Sequence, residues 1–135
     1  MPPSHSRPEF FLDRSLARRI VADLLRSAVW NLRTHIEVYG ERDQDVPDVE
    51  WLELCGRSGW AVLTKDARIR RRRAEVAVIR RHGVKAFVLA AGNMRAVDQA
   101  RRFDDNRAAI EAACADRGPF VYAVRAGGLE RIFPE

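Results

Sequence analysis

Residues 48–66 read D-V-E-W-L-E-L-C-G-R-S-G-W-A-V-L-T-K-D, and an aspartate stands at each end of the stretch. Trp51, Leu52 and Cys55 recur at the three-and-four spacing of one buried helical face, which predicts a helix from Asp48 to about Arg57 ended by Gly56 and Gly59. Trp60 to Thr64 is a short apolar run between a glycine and a charged turn, the pattern of a strand buried on both faces. Asp66 follows at once. In a parallel α/β sheet the ligand crevice lies beyond the carboxyl ends of the strands, so an acid just past such a run stands where chemistry is done.

Working outward, the strand predicted over Glu9 to Leu12 also runs into an aspartate, Asp13. Two parallel neighbours would aim Asp13 and Asp66 into one crevice, within reach of Asp48 at a helix start. Carboxylates brought together repel and hold protons unless a cation compensates. Mg2+ or Mn2+ suits such a set, because hard ions take oxygen ligands and serve phosphodiester cleavage.

Before the opening strand, residues 1–7 read as a flexible leader, and residues 8–135 as one domain. Ser15 offers a hydroxyl cap for a helix from Leu16 to about Ala28, with Leu16, Ile20, Leu24 and Ala28 along its apolar stripe. Residues Arg33 to Val38 alternate Thr34, Ile36 and Val38 against His35 and Glu37, a half-buried strand pattern that sets Glu37 near the crevice as a candidate fourth carboxylate. Residues 39–47 form a polar loop, where Glu41, Asp43 and Asp45 more readily keep a loop solvated than join a metal cluster.

After Asp66 comes A-R-I-R-R-R-R. Arg68, Arg70, Arg71, Arg72 and Arg73 there form a candidate electropositive lip for the phosphates that flank a scissile bond; the plainer alternative is a solvated helix start. A helix through Val76 and Ile79 stops at Gly83, and K-A-F-V-L at 85–89 is a further strand. Asn93 is placed to cap a helix carrying Met94, Val97, Ala100 and Phe103 inward, with a break at residues 104–106 before it resumes to Arg117. Residues 119–125 and L-E-R-I-F, joined by Gly127-Gly128, suggest a hairpin. Alternating strands and helices argue for a three-layer α/β/α sandwich around a mainly parallel sheet.

The net charge of +5 among 135 residues favours a polyanionic partner such as nucleic acid, although 22 arginines against two lysines could equally reflect base composition. No membrane span or signal-peptide core is visible, which points to the cytoplasm. Two cysteines, Cys55 and Cys114, on apolar helix faces read as reduced thiols; with three scattered histidines they make no zinc pattern.

The opening F-F-L-D-R-S-L and the segment from Asp48 to Ala67, with their separation, resemble the PIN and PIN-like ribonucleases, especially the compact branch of VapC-type toxins. In that branch one acid ends the first strand, one opens a helix, and one follows a strand in an L-V-T-x-D pattern; Asp13, Asp48 and Asp66 fill these places, with Thr64 in the threonine slot. The resemblance covers roughly the first half of the chain. It implies a PIN-like fold and Mg2+- or Mn2+-dependent endoribonuclease activity. Asp13, Asp48 and Asp66 would be catalytic and metal-binding, with Glu37 as further ligand. It also implies an RNA substrate, a cognate antitoxin of a type II toxin–antitoxin pair, and a homodimer. Lys65 stands where the family usually has asparagine. The rival class is a catalytically silent PIN-like module that binds RNA or a partner protein. A phospho-acceptor receiver domain fits less well, because it needs its threonine and lysine on separate strands, whereas Thr64 and Lys65 are adjacent.

Overall fold

A computed structural model describes residues 7–16, 18–90 and 92–135, with the side chain of Arg18 left aside. The leader expected over residues 1–7 therefore falls, apart from Arg7, outside the described residues. Six strands form one sheet in the order β2-β1-β3-β4-β5-β6. These are β1 (Phe10–Leu12), β2 (Leu32–Thr34), β3 (Ala61–Thr64), β4 (Lys85–Leu89), β5 (Phe120–Arg125) and β6 (Gly128–Phe133). The first five run parallel, and β6 returns antiparallel across the expected hairpin.

Side chains alternate across the sheet and so build two cores. Phe10, Leu12, Leu63, Phe87, Leu89 and Phe120 pack under α1 (Arg18–Ser27), α5 (Ala96–Asp105) and α6 (Arg107–Cys114). Phe11, Val62, Ala86, Val88 and Val121 pack under α3 (Asp48–Ser58) and α4 (Arg73–His82), with Trp51, Leu52, Cys55 and Ile79. The three-layer α/β arrangement expected from the alternation is thus present. No helix among the described residues is long and apolar enough to cross a membrane.

The strand order positions the site. The chain leaves β1 to form β2 on one side, then crosses to β3 on the other, so β1 and β3 are parallel neighbours whose following helices cover opposite faces. Loops that diverge in this way open a crevice at the carboxyl edge.

Several sequence expectations are corrected. The strand expected over Arg33 to Val38 stops at Thr34, and His35–Tyr39 form a short helix, α2. The cause is a capping box: the Thr34 hydroxyl accepts from Glu37 N, and the Glu37 carboxylate accepts from Thr34 N. The burial pattern inverts accordingly, with His35 enclosed and Ile36 exposed. On α1 the buried side chains are Val21, Ala22 and Leu25, whereas Ile20 and Leu24 face outward, so the real stripe is rotated from the expected one.

Gly56 does not end α3 but lies within it, where a Cβ would come 2.6 Å from the His82 Cβ, so its missing side chain lets α3 and α4 approach. Gly59, with φ 77°, is the actual stop. Arg95 rather than Asn93 precedes α5, and Val97 is exposed; the expected break appears at Asn106. Cys55 and Cys114 are both free thiols, as expected.

Candidate active site

Asp13 follows β1 directly and is buried. Its backbone N–H donates to Leu63 O at 3.0 Å, which continues the β1–β3 ladder by one residue and fixes the aspartate against β3. The hydroxyl of Thr64, the last residue of β3, donates to Asp13 Oδ2 at 2.8 Å. The same hydroxyl oxygen accepts from Asp66 N at 3.0 Å and lies 3.1 Å from Ser15 Oγ. Ser15 Oγ in turn accepts from Lys65 N at 2.9 Å. Ser15 therefore ties the β1 and β3 ends together, and Thr64 is the hub of the link. Burial pushes the Asp13 carboxyl up, the Asp48 charge adds to this, and the hydroxyls of Ser15 and Thr64 oppose it.

Asp48 opens α3 without capping it through its side chain. Its Oδ1 accepts from Trp51 Nε1 at 3.0 Å, one turn along, which turns the carboxylate off the helix end. Its Oδ2 accepts from Arg72 Nη1 at 3.2 Å, and Arg14 Nη2 stands 3.8 Å from Oδ1. Asp66 caps the 3₁₀ turn Ala67–Arg70 by accepting from Arg68 N at 3.0 Å, and it takes Arg68 Nε at 3.1 Å on the same oxygen. The other oxygen accepts from Arg72 Nη2 at 3.1 Å. Partial burial pulls the Asp66 carboxyl upward, but the hydrogen bonds from Arg68 and the charges of Arg72 and Arg68 outweigh it and leave the group below its ordinary range.

One guanidinium thus joins Asp48 to Asp66, and Asp48 lies close enough to Asp13 to disturb its ionisation. Glu75, largely buried in the first turn of α4, accepts from Arg72 Nη1 at 3.1 Å. Glu37 is not drawn in. Its carboxylate takes Arg26 Nη2 at 2.6 Å together with Thr34 N, and the Arg26 hydrogen bond holds it well below the usual carboxylate range. Asp43 is not a solvated loop acid: it is buried, it bonds His35 Nδ1 at 2.7 Å, and its backbone carbonyl accepts from Arg14 Nη1 at 2.7 Å. The His35 ring meets Phe11 and Tyr39 at a tilt and Trp51 edge-on, which holds the pair in the aromatic cluster.

The five arginines after Asp66 divide into kinds. Arg72 is engaged by carboxylates, Arg68 leans on Asp66, and Arg71 and Arg73 stand exposed. Arg70 is half-buried, and its Nε has no hydrogen-bond partner.

Sequence reading missed Ser15, Arg14 and Glu75. Ser15 carried a signal, lying two residues past Asp13, but a hydroxyl before a helix reads first as a cap. Glu75 carried none, because one acid in a charged helix is ordinary. As donors, carboxylates and hydroxyls suit a hard divalent cation. As spaced here, among the described residues, no three His, Cys, Asp or Glu side chains come close enough to enclose an ion. The Arg72 guanidinium holds the position between Asp48 and Asp66.

Comparison with known proteins gives the family. The model of a family described as "PIN like domain" matches residues 8–91, the span from before β1 to just beyond β4. The chain belongs to the PIN-like domain family. Within it, this PIN-like chain is 36% identical over 123 residues to a Mycobacterium tuberculosis (H37Rv) protein named "Putative ribonuclease VapC45", covering 90% of this chain and 89% of that one. No solved structure matches it significantly. The family match includes both segments that carried the resemblance, and the M. tuberculosis relative extends the likeness over nearly the whole chain.

Proposed function

We propose that this PIN-like chain is a divalent-cation-dependent endoribonuclease and the toxin of a type II toxin–antitoxin pair. The observation that carries the reading is the gathering of Asp13, Asp48 and Asp66 at the carboxyl edge where β1 and β3 diverge. The similar M. tuberculosis protein, named as a ribonuclease and as a VapC, supports the substrate class and the toxin role.

In this reading Asp13, Asp48 and Asp66 hold Mg2+ or Mn2+, and Glu75 rather than Glu37 is the nearest further carboxylate. The bound cation supplies positive charge to a phosphoryl oxygen of RNA and so lowers the barrier to in-line hydrolysis. Thr64 and Ser15 orient the Asp13 carboxylate through the 2.8 Å bond and the bridge to Lys65 N. Trp51 Nε1 fixes the rotamer of Asp48. Arg71 and Arg73, exposed beside the acids, bind the phosphates flanking the scissile bond and set the strand in register. Burial and the Asp48 charge raise the Asp13 carboxyl, so a cation bound beside it would favour its ionised form.

The test is incubation of the purified chain with single-stranded and structured RNA, in Mn2+ or in chelator. Cleavage that needs Mn2+ and disappears in an Asp13→Asn, Asp66→Asn double variant supports the enzyme. Salt-sensitive RNA binding with no turnover in any metal supports the silent module, a reading favoured by the acids being already paired with Arg72. Rescue of toxicity by a short neighbouring reading frame tests the toxin role.

A further inference from the structure

Arg72 is placed oddly for an ordinary surface arginine. It is the residue before α4, in extended backbone at the N-terminal end of a helix, where the positive end of the helix dipole disfavours a cation. Its guanidinium nevertheless turns to three acids: Asp48 Oδ2 at 3.2 Å, Asp66 Oδ2 at 3.1 Å and Glu75 Oε1 at 3.1 Å. These acids come from three separate places in the chain, the start of α3, the end of β3 and the first turn of α4. Their negative charge outweighs the dipole and fixes the fork.

We infer that the Arg72 guanidinium is a built-in counter-ion of the Asp48–Asp66 pair, which a divalent cation must displace before the site is loaded. The inference rests on the metal-dependent reading above and extends it to a residue of gating character. A planar guanidinium holds two carboxylates at hydrogen-bond distance on different nitrogens, whereas Mg2+ draws its oxygens to about 2.0–2.1 Å from one point. The two arrangements exclude each other. With Arg72 bonded to Asp48 and Asp66, no three His, Cys, Asp or Glu side chains among the described residues are grouped to hold an ion. Glu75 gives the guanidinium a partner that remains when Asp48 and Asp66 are given up, so the displaced side chain stays at the rim, facing incoming phosphate. Without metal the arginine keeps the acids from repelling one another; with metal it becomes one more phosphate contact.

The experiment compares the full chain with Arg72→Gln, which stays polar but is shorter and lacks charge. Mn2+ binding is followed by calorimetry, and thermal stability is measured with and without Mn2+. The expected result is Mn2+ affinity about tenfold higher in Arg72→Gln, the scale of one charge-assisted hydrogen-bond pair removed from competition. Without metal the variant melts below the parent chain, and Mn2+ raises its melting temperature by more. An Asp66→Asn, Arg72→Gln double variant loses the gain, and Arg71→Gln, which removes a neighbouring charge not bonded to the acids, changes affinity by less than about twofold. Mn2+ binding that depends on Asp66 but is unchanged or weaker in Arg72→Gln overturns the counter-ion role and leaves the nuclease reading standing. No Mn2+ binding by either chain overturns both. Should Arg72→Gln not fold, Arg72→Lys keeps the charge without the fork: a gain of several-fold supports the inference, and an unchanged affinity overturns it.

Discussion

Asp13 and Asp66 end neighbouring strands, yet their surroundings pull them in opposite directions. Burial raises the Asp13 carboxyl, so ionising it costs more in the folded chain than in the unfolded one. Its effect on stability is therefore least harmful below the unfolded carboxyl value near pH 3.9, and stability is lost as pH rises through the folded value. Asp66 is lowered by its arginines, so its contribution is present above that unfolded value and lost as pH falls through the folded one. Two substitutions that are each expected to abolish cleavage should thus differ in stability. Asp13→Asn is expected to melt at or above the parent temperature at pH 7 and to match it at pH 3. Asp66→Asn should melt about 4 °C lower at pH 7, for a loss of about 1 kcal/mol held to the low end by partial solvent exposure, with the difference shrinking toward pH 2. Thermal melts across pH check both signs. The thiols follow the same logic. Burial pushes Cys114 up to about 11 and Cys55 higher still, so a thiol reagent at pH 7 should modify Cys114 slowly and Cys55 only when the chain unfolds, as mass spectrometry would read.

At the scale of elements, α3 and α4 show how a residue can mislead in isolation. Gly56 reads as a helix stop, yet α3 runs on to Ser58, because the glycine is needed for contact with α4 rather than for a turn. Gly56→Ala places a Cβ 2.6 Å from the His82 Cβ and 2.7 Å from its carbonyl oxygen. Pushing the helices apart costs about 1–3 kcal/mol, of which about 1 is offset by the better helix propensity of alanine. A fall in melting temperature of up to about 8 °C is expected, checked against Gly127→Ala, where the added carbon meets open space. The α2 segment misleads differently. T-H-I-E-V alternates like a strand, but T-x-x-E is also a capping box, and the two hydrogen bonds it makes decide for a helix. Because Glu37 closes that box and pairs with Arg26, the element that removed the expected strand also took the expected fourth carboxylate away from the acids.

Across the whole molecule, the excess of arginine becomes meaningful only once its pairing is known. Arg72 and Arg68 face acids, Arg26 faces Glu37, and Arg42 grips Glu50 at 3.0 Å, so much of the basic charge behind the net +5 is already matched locally. Arg71 and Arg73 are exposed and flank Arg72 in the chain. An Arg71→Ala, Arg73→Ala pair should weaken binding of single-stranded RNA and flatten its dependence on log salt by about 1.4, at roughly 0.7 for each phosphate no longer neutralised. A fluorescence titration over several salt concentrations reads that slope, and an unchanged slope would remove both residues from the RNA path.

Much of the architecture was legible in the chain itself. Apolar runs of strand length alternating with amphipathic segments specify parallel pairing, and aspartates just past two of those runs specify where a crevice would be lined, because periodicity and strand ends are local properties. The roles of Ser15, Gly56, Asp43, Glu75 and Arg72 were not legible. Four are defined by a partner on another element, Ser15 by Lys65, Gly56 by His82, Asp43 by His35, Arg72 by Asp48 and Asp66, and Glu75 by the Arg72 that those two acids orient. Sequence spacing determines which face a residue occupies. Which charge it meets there is decided only when the strand order brings β1 beside β3 and the two following helices part.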